Sequence, residues 1–381
     1  MADNKNNSER NVPPLRFPEF TGEWQCKAIE KVAPLQRGFD LPTQNLVEGI
    51  YPVIYSNGIL QHHDKYKCEA PGLITGRSGT IGKFTYIDSG FYWPHNTSLW
   101  VTDFCGNCPK FIYYLYQTVH IEQFSTGSGV PTLNRNDVHR YKTSVPTAIV
   151  EQEKIAKFLS ILDERIVTQN KIIEKLQSLI KGLVDELMTV LLKGKLYPFS
   201  SFYIKAGEGG TPTTSVVEYY TEGTIPFIKI EDLSCKYLTN NKDFITELGM
   251  QKSSAWLIPS KSVIYSNGAT IGAISINEYP VCTKQGILGI VPNTNINVEY
   301  LYLLMSSSYF SKEISRIITE GTMKTAYLKD INHIKCPLPS MAQQKNITNL
   351  TSSIEEKLSI EQELLRFLNL QKQYLLHMIF I

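Results

Sequence analysis

The stretch Ser78-Gly79-Thr80-Ile81-Gly82 is repeated as Gly268-Ala269-Thr270-Ile271-Gly272, about 190 residues further along the 381-residue chain. An aromatic-rich stretch follows each copy, at 111–115 and at 300–304. An aspartate and then a proline come next, and each copy continues into a long amphipathic segment. Four landmarks in one order and at a nearly constant offset indicate a tandem repeat of a globular unit followed by a helix.

The globular parts have the pattern of short strands separated by turns. Runs such as 51–55, 72–75 and 224–230 are rich in β-branched and aromatic residues and are bounded by Gly, Asn, Asp or Pro. Helical periodicity appears near 109–123 and 297–318, so we predict an α+β fold. We expect a first globular domain at 1–148, whose residues 1–14 form a frayed tail. A long helix at 149–194, a second globular domain at 195–340 and a second long helix at 341–381 follow.

Two identical pentapeptides do not follow the repeat. Ile-Tyr-Ser-Asn-Gly occurs at 54–58 and at 264–268, an offset of about 210 residues that differs from that of the other landmarks. The repeat register instead aligns 264–268 with 74–78. We interpret both copies as strand-to-turn exits in which Asn-Gly supplies a positive φ angle.

The first long segment has a heptad seam, and the second is less regular because Glu361 interrupts it. A helix of about 40 residues is about 60 Å long and needs a partner. One alternative is a coiled-coil arm that dimerises two chains. Two helices in one chain, each after a repeat unit, favour antiparallel pairing within the chain and a pseudo-twofold molecule. The predicted seam residues are Ile155, Leu159, Leu162, Ile166, Gln169, Ile173, Leu176, Ile180, Leu183, Leu187 and Val190, and Ile347, Leu350, Ile354, Leu358, Leu365, Leu368, Leu375 and Met378.

Composition favours a folded cytoplasmic protein. Hydrophobic residues make up 42% and charged residues 19% of the chain. No apolar run reaches the roughly 18 residues of a membrane span, so no membrane association is expected. The polar N-terminus lacks a signal-peptide core, and seven cysteines suit reduced thiols better than a disulfide framework.

The charge balance is unusual for a protein that binds nucleic acid alone. The net charge is +2, and 1–147 contains 14 Lys and Arg against 13 Asp and Glu, whereas 198–340 contains 12 of each. DNA binders usually show a stronger basic excess because phosphate neutralisation supplies most non-specific affinity. Either the chain does not bind nucleic acid, or a partner supplies much of the phosphate contact.

Catalytic motifs are lacking. The stretch 76–84 resembles a nucleotide-binding loop, but its glycine spacing is wrong and Phe84 stands where Ser or Thr would bind magnesium. Cys105 and Cys108 have zinc-knuckle spacing without the second pair that a structural site needs, so free thiols are the favoured interpretation. We expect no catalytic residue, no metal and no cofactor.

The motifs together resemble the specificity (S) subunit of type I restriction–modification systems along nearly the whole chain. Two departures from the family pattern concern the second half: its hinge lacks an equivalent of Glu151, and its turn lacks basic residues where the first copy has Arg77 and Lys83. The resemblance is carried by Leu15-Arg16-Phe17-Pro18-Glu19-Phe20 with Trp24, by 75–83, 93–97 and 130–137, by the hinge from Pro146 to Ala156, and by Gly209-Gly210-Thr211-Pro212 with 225–233.

The resemblance implies a division of labour. Each globular unit is a target recognition domain that reads one half of a bipartite double-stranded DNA sequence. The paired helices set the spacer and dock two modification (methyltransferase) subunits, which carry S-adenosylmethionine chemistry and flip the target adenine. Restriction (endonuclease/translocase) subunits join for ATP-dependent translocation and cleavage. Two alternatives remain: a scaffold that holds two protein partners, and a free-standing enzyme acting on nucleic acid.

Candidate DNA-contacting residues follow from side-chain chemistry, since arginine can bond bidentately to guanine and asparagine or glutamine to adenine. Each of them can instead contact phosphate or serve the turn structure. In the first unit they are Arg77, Asn96, Asn134 and Arg135, flanked by Tyr55 and Trp93, with Lys83 in the same turn as Arg77; in the second unit they are Lys229, Lys284, Gln285 and Lys324.

Overall fold

A computed structural model describes residues 11–127, 131–318 and 324–381. The first ten residues of the predicted tail, and Val130 of the family motif, lie outside this part of the chain. The chain divides into two compact units. Unit 1 comprises Met1–Asn170 with Glu363–Ile381, and unit 2 comprises Lys171–Gln362. Both long helices are therefore shared between the units.

Unit 1 combines small sheets with short helices. One four-stranded sheet has the order β2-β9-β6-β7, and the other has the order β4-β3-β8-β5 with β3 and β8 parallel. The strands are β1 (Gln25–Ala28), β2 (Leu35–Arg37), β3 (Tyr51–Tyr55), β4 (Gly58–His63), β5 (Cys68–Glu69), β6 (Gly72–Gly76), β7 (Phe84–Ile87), β8 (Phe91–Pro94), β9 (Ser98–Val101), β10 (Ser125–Thr126), β11 (Thr132–Leu133) and β12 (Lys142–Val145), and the helices are α1 (Pro109–Thr118), α2 (Arg135–Arg140) and the start of α3 (Ile149–Leu191).

Unit 2 has a similar plan. Its main sheet has the order β14-β21-β18-β19-β16, and a smaller sheet has the order β17-β15-β20 with β15 and β20 parallel. Its strands are β13 (Leu196–Pro198), β14 (Tyr203–Glu208), β15 (Ile225–Ile228), β16 (Tyr237–Leu238), β17 (Asp243–Ile245), β18 (Val263–Ser266), β19 (Ile274–Asn277), β20 (Cys282–Thr283), β21 (Ile287–Pro292) and β22 (Lys335–Pro337), and its helices are α4 (Glu247–Gln251), α5 (Val298–Ser306), α6 (Ser308–Ile317), α7 (Leu328–Ile331) and the start of α8 (Met341–Ile379). The mixed content confirms the predicted α+β class.

Strand register confirms that the two pentapeptides are not equivalent in the repeat. In β6, Ile74 pairs with Trp100, and in β18, Ile264 pairs with Gly289. The 264–268 copy is therefore equivalent to 74–78. The 54–58 copy instead ends β3 and opens the hairpin to β4, where Gly58 has φ +113°. That left-handed conformation suits glycine, which has no Cβ. Gly268 does not adopt a positive φ, so the predicted turn conformation is wrong for the 264–268 copy.

The helices α3 and α8 contribute to the hydrophobic core of both units. In unit 1, Leu159 of α3 and Leu368 of α8 belong to the same buried cluster as Trp24 and Phe111. Lys372 Nζ lies 2.7 Å from Asp163 Oδ1, and the Ser144 amide donates to the Ile381 carbonyl. The two segments are therefore antiparallel within unit 1, as predicted.

In unit 2, the later part of α3 and the beginning of α8 share a core. Val184 and Met188 belong to the same buried cluster as Ile347, together with Phe199 and Tyr300. About half of each helix thus lies in each unit. The seam residues in these two clusters are therefore covered within the chain, as the intramolecular alternative predicts.

The predicted seams are correct only in part. Ile155, Leu159, Leu162, Gln169 and Ile173 are buried, but Val190 is 62% exposed and the buried face has moved to Val184 and Met188. A straight helix has about 3.6 residues per turn and drifts away from a 3.5-residue repeat. In α8, Leu350 is 50% exposed and Thr351 is buried, so the predicted position is wrong by one residue.

None of the helices in the described ranges combines the length and apolar character needed to cross a membrane.

Candidate nucleic-acid interface

The end of β6 is the centre of the candidate site in unit 1. The Arg77 amide donates to the Thr97 carbonyl at 2.9 Å, and the Arg77 carbonyl accepts from the Leu133 amide at 2.8 Å. The Gly79 amide donates to the Pro131 carbonyl at 3.1 Å. These bonds bring together three segments that are far apart in sequence: the β6–β7 turn, the turn after β8 and the segment leading into α2.

These segments border a cleft of about 620 Å³. Three of the predicted residues, Arg77, Asn134 and Arg135, line it together with Arg37 and Asp40. Asn134 caps α2 by accepting from the Asn136 amide at 3.0 Å, so its side-chain oxygen already has a structural role. The cleft wall is polar and carries three guanidinium groups, which suits an anionic ligand.

Asn96 is connected to this cleft through Asp40. The Asn96 amide nitrogen donates to Asp40 Oδ1, and Arg37 Nη2 donates to the same oxygen at 3.2 Å. The chain can approach this closely because residue 38 is glycine: a Cβ there would lie 2.2 Å from the His95 carbonyl oxygen.

The flanking aromatic residues differ in accessibility. The Tyr55 ring lies 4.2 Å from the His95 ring, its hydroxyl donates to Gln61 Oε1 at 2.7 Å, and burial raises the pKa of its phenol. Trp93 is only 7% exposed and its Nε1 donates to the Phe39 carbonyl at 3.3 Å. Trp93 therefore packs in the domain interior. Lys83 is exposed in the turn between β6 and β7.

Unit 2 has the same backbone frame. The Asn267 amide donates to the Gly286 carbonyl at 3.0 Å, and the Asn267 carbonyl accepts from the Ala326 amide at 2.9 Å. Asn267 therefore takes the place of Arg77, Gly286 that of Thr97, and Ala326 that of Leu133. The sequence shows no basic residue at this turn of unit 2. Because the two turns are equivalent, this is a real difference between the units.

The frame aligns the remaining candidates. The Lys284 amide donates to the Ile228 carbonyl, as the His95 amide does to the Ile54 carbonyl. Gln285, the next residue, is thus the counterpart of Asn96. Both Lys284 and Gln285 are exposed, as is Lys324, two residues before Ala326.

Lys229 is engaged in an ion pair. Its Nζ lies 2.9 Å from Asp243 Oδ2, and the hydrogen bond to this carboxylate raises the pKa of the lysine. The two side chains are 33% and 40% exposed, so the pair is accessible to solvent. Binding a phosphate through Lys229 would compete with Asp243.

Sequence reasoning missed Arg37 and Asp40 and their counterparts. Gly209 donates its amide to the Ile287 carbonyl at 2.9 Å, as Gly38 does to Ser98 at 3.0 Å, which places Thr211 where unit 1 has Asp40. The offset here is about 171 residues rather than about 190. Aligning the glycines of the two segments after β2 and β14 would have revealed this.

The two cysteines with zinc-like spacing do not gather further ligands. Cys105 is exposed, and Cys108 is half-buried at the start of α1. Within 11–127, 131–318 and 324–381, no group of three His, Cys, Asp or Glu side chains could hold a metal.

A duplicated scaffold with matched polar turns defines a two-unit protein whose halves present related surfaces. The type I restriction modification DNA specificity domain matches this chain twice, at 21–178 and 202–369. The chain belongs to that family, which confirms the resemblance deduced from its motifs.

Three relatives illustrate the match. The MjaIX specificity subunit of Methanocaldococcus jannaschii is 30% identical over 39% of this chain and 35% of its own length. A type I restriction enzyme specificity subunit of Escherichia coli is 26% identical over 70% of this chain and 68% of its own. The crystal structure of an S subunit from M. genitalium, 18% identical, covers 97% of this chain and 99% of its own with a TM-score of 0.58, which shows a shared fold.

Proposed function

We propose that this chain is the DNA sequence-specificity subunit of a type I restriction–modification complex. Each recognition domain reads one half of a bipartite double-stranded target. The observation that supports this most directly is the shared frame around Arg77 and Asn267, which places variable polar turns at equivalent positions in two units. One scaffold carrying two different sets of side chains suits a target with two different halves.

In this proposal, the recognition domains are 1–148 and 195–340, and the spacer helices are 149–194 and 341–381. The helices fix the distance between the half-targets and dock two modification subunits. Those subunits supply S-adenosylmethionine chemistry and flip the target adenine, and restriction subunits add cleavage. The chain itself is non-catalytic, needs no cofactor of its own and works in the cytoplasm, where the DNA is.

The proposed DNA-contacting residues have different roles, which follow from their positions at the cleft. Arg77 and Arg135 face the cleft and are placed for bidentate bonds to guanine or for phosphate contact. The side-chain amides of Asn96 and Gln285 read bases at equivalent positions of the two half-targets. The DNA backbone is positioned by phosphate contacts from Asn134, Lys83, Lys229, Lys284 and Lys324. Tyr55 flanks the site, and Trp93 supports it from within the core.

The near-neutral charge of each recognition domain fits this division. Phosphate contacts provide most non-specific affinity for DNA. Docked methyltransferase subunits that close around the duplex would supply the contacts that this chain lacks. Specific binding should therefore depend on the methyltransferase partner.

The decisive experiment maps methylated adenines in DNA exposed to this chain together with its methyltransferase subunit. Methylation at one bipartite sequence, absent when either protein is omitted, is the expected result. Protein partners held without any DNA sequence preference would instead indicate a scaffold. Turnover of nucleic acid by the purified chain alone would indicate an enzyme.

A further inference from the structure

Asp40 is a carboxylate on the wall of a cleft that otherwise carries Arg37, Arg77 and Arg135. It is 70% exposed, so burial imposes no large desolvation cost on its charge. A carboxylate that faces DNA phosphates opposes binding through Coulomb repulsion. Its position therefore requires a role that offsets this repulsion.

The contacts of Asp40 suggest that role. Its Oδ1 accepts from the Asn96 side-chain amide and from Arg37 Nη2. The first bond uses one of the two N–H groups of Asn96 and fixes the rotation of its amide plane. The other N–H and the Oδ1 of asparagine are the pair that bonds to N7 and N6 of adenine. The Arg37 contact offsets the charge of the carboxylate.

Unit 2 has a contact at the equivalent place, but this contact is made to the backbone and not to the side chain of the candidate reader. Thr211 stands where unit 1 has Asp40, and its hydroxyl oxygen accepts from the backbone N–H of Gln285 at 3.3 Å. Gln285 is the counterpart of Asn96 and carries the same amide on a longer stem. An uncharged hydroxyl is sufficient here because it holds the backbone of the turn, whereas Asp40 holds the Asn96 side chain.

We propose that Asp40 is a positioning residue that presents the Asn96 amide to an adenine–thymine pair in the half-target of unit 1. Gln285, on a turn held by Thr211, reads an adenine–thymine pair at the equivalent position of the other half-target. This inference rests on the proposed function, and it adds one specific base pair and one positioning residue to each recognition domain.

The test uses the complex of the full chain with its methyltransferase subunits and a duplex library in which both half-targets are randomised. Adenine methylation selects the accepted sequences. Asp40→Ala should reduce the preference for adenine at one position of one half-target by about 10-fold or more. Binding to non-specific duplex should stay equal or increase, because a negative charge has been removed; a merely structural role would not produce this combination.

Four further variants control the result. Asp40→Asn keeps an acceptor oxygen for Asn96 and should retain the preference. Asp88→Ala removes an exposed carboxylate at the opposite end of β8 and should behave as wild type. Asn96→Ala and Gln285→Ala should each abolish one preference, in different half-targets, and the unaffected half reports intact folding and assembly.

Several outcomes would overturn the inference. Asp40→Ala with an unchanged base profile would show that Asn96 needs no positioning. Loss of preference in Asp40→Asn equal to that in Asp40→Ala would assign the effect to charge. A position other than adenine–thymine affected by Asn96→Ala would refute the assigned base. If the wild-type complex selects no bipartite sequence, the proposed function itself fails.

Discussion

Gln152 and Gln344 form the same hydrogen-bond pattern in the two units. The Oε1 of each accepts from the amide of the residue preceding a domain helix, Cys108 at 2.9 Å and Asn297 at 2.7 Å. Each Nε2 donates to a hinge proline carbonyl, that of Pro146 at 3.0 Å and that of Pro339 at 2.9 Å. Both glutamines are buried, so each long helix is joined to its domain by an equivalent polar clamp.

Replacing either glutamine should destabilise its own unit. Gln152→Ala or Gln344→Ala leaves a half-buried amide and a buried or half-buried carbonyl without the glutamine side chain, and we expect a loss of about 2–4 kcal/mol. Hydrogen exchange resolved by peptide should show the loss in the unit that contains the substitution. Gln371→Ala, at an exposed helical position, is the control and should change stability by less than about 0.5 kcal/mol.

Glu151 should be important to unit 1 only. It is 2% exposed and accepts two hydrogen bonds from the Arg16 guanidinium and one from Trp24 Nε1. Gln343, at the equivalent position of unit 2, is exposed, and its Oε1 accepts from the amide and hydroxyl of Ser340. Glu151→Ala leaves the guanidinium unpaired and should cost about 3 kcal/mol. Urea denaturation would measure this loss, and Gln343→Ala with a comparable loss would contradict the assignment.

Arg77→Ala should lower methylation at cognate sites by affecting one half-target. The guanidinium lines the unit 1 cleft, so its loss should reduce discrimination there by about 1–3 kcal/mol. Methylation assays on duplexes altered in either half measure the effect, with the exposed Arg140→Ala as a control. Equal loss on both kinds of duplex would indicate a phosphate contact or a folding role.

Exchanging residues 1–147 for the matching part of a relative should change one half of the target and preserve the other. The ring centroids of Phe380 and Phe111 are 5.3 Å apart, so the 363–381 segment packs on the exchanged domain. A second chimera that also exchanges 363–381 should be more stable than the first and have the same specificity. Mapping of methylated adenines would compare the two. A chimera in which both half-targets change would refute independent reading.

Lengthening the helices should lengthen the spacer. Because each helix crosses the unit boundary, one heptad is inserted in both, after Asn170 and after Gln362. The added length of about 10 Å corresponds to about three base pairs of DNA. Genome-wide methylation mapping measures the spacer, and an unchanged spacer would show that the helices only dock partners.

Two further insertions test whether the register matters. A heptad placed after Leu183 in α3 alone should displace Val184 and Met188 from their core and weaken assembly. Two residues inserted at the same place should rotate the apolar face away and have a larger effect.

The sequence predicts the duplication, the two helices and their approximate bounds, because repeated landmarks and helical periodicity are local signals. It could not show that α3 and α8 are each divided between units, since that depends on which domain covers each half. The role of Gln152 was hidden because a buried glutamine has no pattern of its own. Asp40 is not predicted by the repeat because insertions change the repeat offset around it. The prediction that Trp93 flanks the site misses the burial of its side chain, which cannot be deduced from neighbouring residues alone.

The sharing of α8 between the units sets the order in which the chain can finish folding. Unit 2 is continuous from Lys171 to Gln362, so its residues leave the ribosome together. Unit 1 begins first but is completed last, when Leu368 and Leu375 join its core. At about 5–20 residues per second, its apolar surface waits on the order of ten seconds or longer for the last helical turns. A chain whose translation stops between Gln362 and Leu368 therefore lacks the complete core of unit 1, although it contains all of residues 1–148.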